Sequence, residues 1–294
     1  MKLFYTLLLP LLLIVTLSCK KTYRATIPAY LVIDSSIVLT NYALQGTTNQ
    51  KIKNISVAVD GTEYGLYQIP CKIPLTTIGE GKLVTIRPYI VESGQGDYKF
   101  SYLYMANYTT TLTINNEQTI RLRPVFSYTA FAKFPWLEDF ENSAQSIEKT
   151  STSKTSMAFE IDPAKVLEGN RCGKITLDAT SNYYEGVTSQ NFNIPINGDY
   201  TYLEMNYSTT CRFAVGLQYS ENSVLKNQFA LTLTPTTTSL NTKSTWNKVY
   251  VNLAGIALDH KTAVNFKFII YAQRDTTHTT DEVLLDNLKF VTNL

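Results

Sequence analysis

Cys19 is the residue whose position most directly implies chemistry. It follows Ser18 at the end of an almost unbroken apolar run, Leu3 to Leu17, and the only charge before it is Lys2. This is the layout of a secretory signal, and a cysteine set directly after a small residue at its end has a thiol placed to accept a diacylglycerol. The run holds fifteen residues, fewer than the roughly twenty that a helix needs to cross a bilayer, and Pro10 would disturb such a helix further. The spacing predicts residues 1–18 as a lipoprotein signal peptide, Cys19 as the lipidated first residue of the mature chain, and residues 19–24 as a tether to the lipid bilayer. An ordinary signal peptide with an incidental cysteine is the alternative. More than one acyl chain makes attachment effectively permanent. The five residues after Cys19, Lys20 to Arg24, contain no Asp, which predicts the outer membrane of the cell envelope, with the periplasmic face favoured over the surface.

Other chemistry is sparse. With only His260 and His278, a multi-histidine metal site is excluded, and neither has a partner at zinc-type spacing. Asp259-His260 reads as a polar turn rather than part of a nucleophilic triad. Glu138 with Glu141, or Asp281 with Glu282, could serve as glycosidase acids, but spacing along the chain gives no separation between carboxylates. No G-x-S-x-G, P-loop or dinucleotide fingerprint occurs, so the chain reads as a non-enzyme with no required cofactor, and a hydrolase is the weakest reading. Glycan binding needs exposed rings that stack on sugars beside polar groups. Among 20 tyrosines, Tyr183 and Tyr184 stand out in a Gly-flanked loop before Val187, and if they were in a strand alternation would send one of the two into the core.

These residues must be positioned by β-structure. The chain has 294 residues, 44% hydrophobic and 17% charged, enough to bury two cores. Net charge is +2, and loss of residues 1–18 removes one lysine, so no electrostatic pull towards nucleic acid exists. Apart from Cys19, three cysteines remain, Cys71, Cys172 and Cys211. They read as buried thiols, with a Cys172–Cys211 bridge as the other reading.

Period-2 alternation predicts strands at 30–40, 55–59, 82–91, 100–108 and 119–126, with Asp60-Gly61 as a hairpin turn. Pro70 and Pro74 demote 69–75 to an edge strand or loop. A boundary falls near 127–133. Beyond it, strands are predicted at 157–161, 172–177, 200–207, 213–219, 228–234, 248–253, 264–272 and 283–291, the count of a jelly roll. Alternation in the last places Leu284, Asp286, Leu288 and Phe290 on one face. The fold class is all-β: a sandwich over 25–128, then a jelly-roll β-sandwich over 134–294.

Two resemblances sharpen this. Val59-Asp60-Gly61 through Gly79-Glu80-Gly81-Lys82 resembles small Ig-like or transthyretin-like modules of envelope lipoproteins. Asp139-Phe140-Glu141, Gly169, Gly173-Lys174-Ile175-Thr176-Leu177, Trp246-Asn247-Lys248-Val249-Tyr250-Val251 and Leu284-Leu285-Asp286-Asn287-Leu288 resemble the galactose-binding and carbohydrate-binding-module jelly rolls. The whole chain is similar to two-domain Bacteroidota lipoproteins of uncharacterised function. The jelly-roll resemblance implies a structural calcium held by Glu141, Asp286 and the turn from Glu168 to Arg171, and core roles for Trp136 and Trp246. Half-exposed acids that cap turns are the alternative for Glu141 and Asp286. Asp275-Thr276-Thr277 is similar to the O-glycosylation tripeptide of the Bacteroidota envelope, which marks Thr276; a polar hairpin tip is the plainer reading. The resulting expectation is a membrane-anchored lipoprotein with a jelly-roll module for a glycan or an envelope protein. The alternative is a structural subunit of an outer-membrane assembly with no small ligand.

Overall fold

The computed structural model describes residues 27–94, 98–237 and 243–294. In the N-terminal domain the chain runs β1 (Ala29–Ile33), β2 (Ile37–Leu39), α1 (Tyr42–Gln45), β3 (Asn54–Val59), β4 (Thr62–Gln68), β5 (Cys71–Leu75), β6 (Gly79–Val91), β7 (Lys99–Ser101), β8 (Tyr108–Ile114), β9 (Thr119–Leu122) and β10 (Val125–Ser127). One sheet has the order β4-β3-β6, with β7 and β8 both paired to β6. It packs against β5-β1-β9 and the β10-β2 pair around Leu31, Ile55, Val57, Ile73, Val84 and Ile86. The Asp60-Gly61 turn forms as its sequence requires, with both residues at positive φ (49° and 79°) and Val59 paired to Thr62. Strand β5 is an edge strand despite Pro74, as an absent N–H permits only at an edge.

Two expected strands are each split. The stretch 30–40 breaks at Asp34-Ser35-Ser36 and 119–126 breaks at Arg123-Pro124, so that β1 runs parallel to β9 and β2 parallel to β10 in separate pairings. Alternation survives within each half, and the polar or proline residues between them let both chains change sheet together. The expected strand 100–108 is reduced to β7, because Tyr102, Tyr104 and Met105 turn into the core instead.

The C-terminal domain contains β11 (Lys133–Glu138), β12 (Ile147–Lys149), β13 (Met157–Glu160), β14 (Cys172–Leu177), β15 (Tyr183–Thr188), β16 (Tyr202–Thr209), β17 (Phe213–Glu221), β18 (Val224–Leu233), β19 (Asn247–Asn252), α2 (Ala254–Asp259), β20 (Val264–Gln273) and β21 (Asp281–Thr292). Two antiparallel sheets face one another in a jelly-roll sandwich. The first has the order β13-β14-β21-β16-β19 with β11 on β21, and the second β12-β15-β20-β17-β18. Leu203, Met205, Leu285 and Phe290 from the first meet Phe213, Val215, Phe268 and Ile270 from the second. Trp136 is buried in this core, and its indole N–H donates to Ser146 Oγ at 2.8 Å. Trp246 is half-buried and its N–H donates to the Lys165 carbonyl at 3.0 Å. Cys172 and Cys211 are buried free thiols and Cys71 is a half-buried one.

The outward face of the first sheet carries the N-terminal domain. Tyr202, Tyr250 and Val291 join that domain's hydrophobic cluster. Between them lies Glu204, fully buried, which accepts hydrogen bonds from the hydroxyls of Tyr102 and Tyr128 and stands 3.1 Å from Lys248 Nζ and 3.8 Å from Lys289 Nζ. A buried carboxylate needs such partners, since its isolated desolvation would cost several kcal/mol. Burial alone would raise the Glu204 carboxyl, but the Lys289 and Lys248 ammonium groups hold it below the usual range. Lys289 also donates to the Gln45 carbonyl at 2.8 Å, so the end of α1 is fastened to β21.

Candidate functional site

Cross-strand register decides which side chains share a face. In the second jelly-roll sheet, Tyr183 pairs with Gln273, Glu185 with Tyr271, Ala214 with Tyr271, Gly216 with Phe229 and Gln218 with Asn227. Directly opposed residues point to the same side, so all of these lie on the outward face, opposite Tyr184, Ile270, Val215 and Leu231 in the core. A bulge at Ala230, where Val215 opposes Leu231 and Gly216 opposes Phe229, brings the Phe229 ring onto this face.

The result is a row of three rings. Phe229, 41% exposed, lies 5.5 Å from the half-exposed Tyr271, and Tyr271 lies 5.3 Å from the half-exposed Tyr183. Successive rings are inclined by 55° and 72°, so they form a stepped strip rather than one plane. Between Phe229 on β18 and Tyr271 on β20 the intervening strand β17 contributes only the small Ala214 and Gly216 to this face. A Cβ on Gly216 would come within 2.1 Å of the Gln228 carbonyl oxygen, so the close β17–β18 approach itself demands glycine.

Polar groups flank the rings. Glu185 receives the Tyr183 hydroxyl at 3.0 Å and the Asn227 amide at 3.4 Å. Gln218 donates to Asn227 at 3.1 Å, and the Tyr271 hydroxyl donates to Gln273 at 2.8 Å. Burial and the Glu185 carboxylate raise the Tyr183 phenol above its ordinary range, so it stays a neutral hydrogen-bond donor at physiological pH. Rings beside carboxylate, amide and phenol groups suit a ligand with alternating apolar faces and hydroxyl edges.

The two predicted tyrosines therefore part company. Tyr183 belongs to the strip, whereas Tyr184 is fully buried, its hydroxyl without a partner among the described residues, and it is a core residue rather than a ligand contact. The stretch itself is strand β15, not a loop. Phe229 and Tyr271 were missed by sequence reasoning. Their signal is weak in the chain, a ring beside polar residues at alternate positions in 225–229 and 267–273, and only pairing across β17 brings them together.

Glu141 and Asp286 do converge on one turn. Glu141 accepts the main-chain N–H groups of Asn170 at 2.8 Å and Arg171 at 3.1 Å, and the Asn170 side chain at 3.0 Å. Asp286 accepts the N–H groups of Asn287 at 2.8 Å and Glu168 at 3.3 Å. Asp286 does not share a face with Leu288 and Phe290. Asn287 adopts φ 51° and inserts a bulge, so that Glu204 opposes Lys289 while Asn206 opposes Asp286, and Asp286 points outward beneath the N-terminal domain. Buried there, its carboxyl is pushed up to about 8, with Glu168 and Glu141 adding to the rise. Among the described residues no group of three or more His, Cys, Asp or Glu is arranged around a metal position. The turn nonetheless fits a hard cation in donor type: Asp286 is a buried carboxylate facing only N–H groups, and three N–H contacts leave Glu141 acceptor capacity.

Thr276 lies exposed in the turn between β20 and β21, where Asp275 accepts the Thr277 N–H at 3.0 Å. His260 bonds Glu221 at 3.2 Å and Gln228 at 2.8 Å, and His278 bonds Asp281 at 2.8 Å. Cys19 and the signal segment lie outside the described residues. No helix among those described is long and apolar enough to cross a membrane.

No family model matches the chain, and neither does any curated protein sequence. Solved structures do resemble part of it. A family 28 carbohydrate-binding module described as specific for non-crystalline cellulose is 14% identical over 52% of this chain and 91% of its own, at TM-score 0.37. The K3 cleaved adhesin domain of Lys-gingipain from Porphyromonas gingivalis is 13% identical over 54% and 98%, at TM-score 0.37. The family 30 carbohydrate-binding module of a Clostridium thermocellum cellulosomal cellulase is 10% identical over 53% and 90%, at TM-score 0.34. Each likeness covers about half of this chain.

Proposed function

We propose that the chain is a non-catalytic, membrane-tethered glycan-binding lipoprotein. The observation that carries this reading is the strip of Phe229, Tyr271 and Tyr183 on the outward face of the second jelly-roll sheet. Three partly exposed rings in a line, bordered by Glu185, Asn227 and Gln273, give stacking surfaces and hydroxyl partners along the path of an extended saccharide. The inclination between rings suits a single twisted chain better than a flat crystalline face. The opposite sheet of the sandwich is covered by the N-terminal domain, which holds the binding face turned away from the junction and acts as a rigid spacer.

Cys19, acylated, anchors this unit in the outer membrane, with its periplasmic face favoured. A structural calcium at the 168–171 turn, with Glu141 and Asp286 among its ligands, neutralises the acids gathered there. Thr276 is an accessible acceptor for O-glycosylation. A glycan array probed with the chain starting after Cys19, beside the same chain carrying Tyr271→Ala, tests the reading. Saccharide hits that vanish in the variant support it, and an array without hits, paired with capture of a single protein partner from membranes, replaces it with the assembly-subunit reading.

A further inference from the structure

A pocket of about 180 Å³ opens where the end of the N-terminal sheet meets β19, far in the fold from the aromatic strip. Among the described residues it is lined by Lys51, Lys53, Asn54, Gln68 and Lys99, together with Val91 and Tyr250, and by no acid. Asn54 and Gln68 are a cross-strand pair on the face of β3 and β4 opposite the core residues Ile55 and Val57. Asn54 is only 5% exposed, yet among the described residues its side-chain amide has no hydrogen-bond partner. The residue is otherwise enclosed, so its amide reaches solvent at the pocket, where its N–H groups are available to a ligand acceptor.

The charged side chains that line it among the described residues are lysines. Lys51 is held by neutral groups: its main-chain N–H donates to the Tyr250 hydroxyl at 2.9 Å and its ammonium to Asn247 Oδ1 at 2.6 Å. Burial, and then the neighbouring Lys53, lower the Lys51 ammonium below the ordinary lysine range. Lys53 is exposed and makes no ion pair among the described residues. Two ammonium groups that feel each other, beside two carboxamides that can turn their N–H groups inward, form a donor-rich cage for negative charge.

We infer that this interdomain pocket binds an oxyanion, a sulfate, phosphate or carboxylate group, through Lys51, Lys53, Asn54 and Gln68. The group can arrive as a free inorganic anion or as the acidic substituent of a saccharide. The chemistry is the same in both cases, and the site is independent of the aromatic strip.

The test is to follow the Asn54 side-chain amide resonance of the full mature chain during titration, at constant ionic strength, with sodium sulfate, with sodium phosphate and with a galacturonate oligosaccharide. The expected result is a saturable shift in at least one arm, weakened roughly tenfold by Lys53→Met through loss of a charge-assisted contact. Saturation by an inorganic salt assigns a free anion, and saturation by the oligosaccharide alone assigns an acidic glycan. Lys53 is exposed, so its replacement leaves the fold intact, and Tyr271→Ala leaves this titration unchanged whether or not it abolishes glycan binding. Shifts that merely drift with salt in all arms, or that saturate identically in Lys53→Met, overturn the inference.

Discussion

Glu204 on β16 of the jelly roll accepts a 2.8 Å hydrogen bond from the hydroxyl of Tyr128 in the N-terminal domain, and both side chains are buried. The same carboxylate pairs with Lys248 and Lys289. The junction between the domains is thus a polar core with its own electrostatic balance. Glu204→Ala would strand two buried ammonium groups, and a loss of about 3–5 kcal/mol is expected. Tyr128→Phe removes one hydrogen bond to a charged acceptor and should cost about 1.5–3 kcal/mol. Urea denaturation checks both, and in the unmodified chain the two domains should unfold in one transition.

Asp286 makes stability depend on pH. Its carboxyl titrates at about 8 in the folded chain against roughly 3.9 when unfolded. Between these values the folded state keeps a proton that the unfolded state has released, so stability falls as pH rises from about 4 to 8. In the presence of a chelator, the melting midpoint of the unmodified chain should decline across that window relative to Asp286→Asn, which lacks the group. Parallel midpoint curves for the two proteins would show that Asp286 is not perturbed in this way.

Calcium should reverse that penalty, because a ligand that binds only the native state raises the midpoint. At pH 7.5, millimolar calcium should raise the midpoint of the unmodified chain and leave Asp286→Asn unmoved. An equal response of both proteins, or of neither, would remove the calcium site.

Much of the fold was legible in the chain, because alternation over 172–177, 213–219 and 264–272 marks strands that bury one face against a partner sheet. The aromatic strip was not. Tyr183 and Tyr184 sit side by side between Asn182 and a glycine two residues on, so β15 has too little alternation to declare itself. Phe229 and Tyr271 share a face only through a register fixed by β17 between them and by the bulge at Ala230. Asp286 shows the complementary failure: its residue type and turn were readable, but the left-handed Asn287 reverses which face it occupies, and no local pattern announces such a bulge. The splitting of 30–40 and 119–126 was marked by Asp34-Ser35-Ser36 and Pro124, while the parallel pairing that makes both halves change sheet together is a long-range property.

In the proposed reading, lipidation at Cys19 sets the location of the whole unit. Cys19→Ala should abolish palmitate labelling and release the protein from membranes into the soluble fraction. Undiminished labelling would place the lipid elsewhere.

The most direct test of glycan binding is the affinity of the mature chain for the saccharide that scores highest on an array, measured by calorimetry for the unmodified protein and for Tyr271→Ala, Phe229→Ala and Tyr183→Ala, each with its melting midpoint recorded. Loss of one stacking ring should weaken binding by about tenfold or more, corresponding to ~1.4 kcal/mol or above, most strongly for the central Tyr271, with the fold retained. Saccharide binding that survives all three substitutions at full strength would contradict the account.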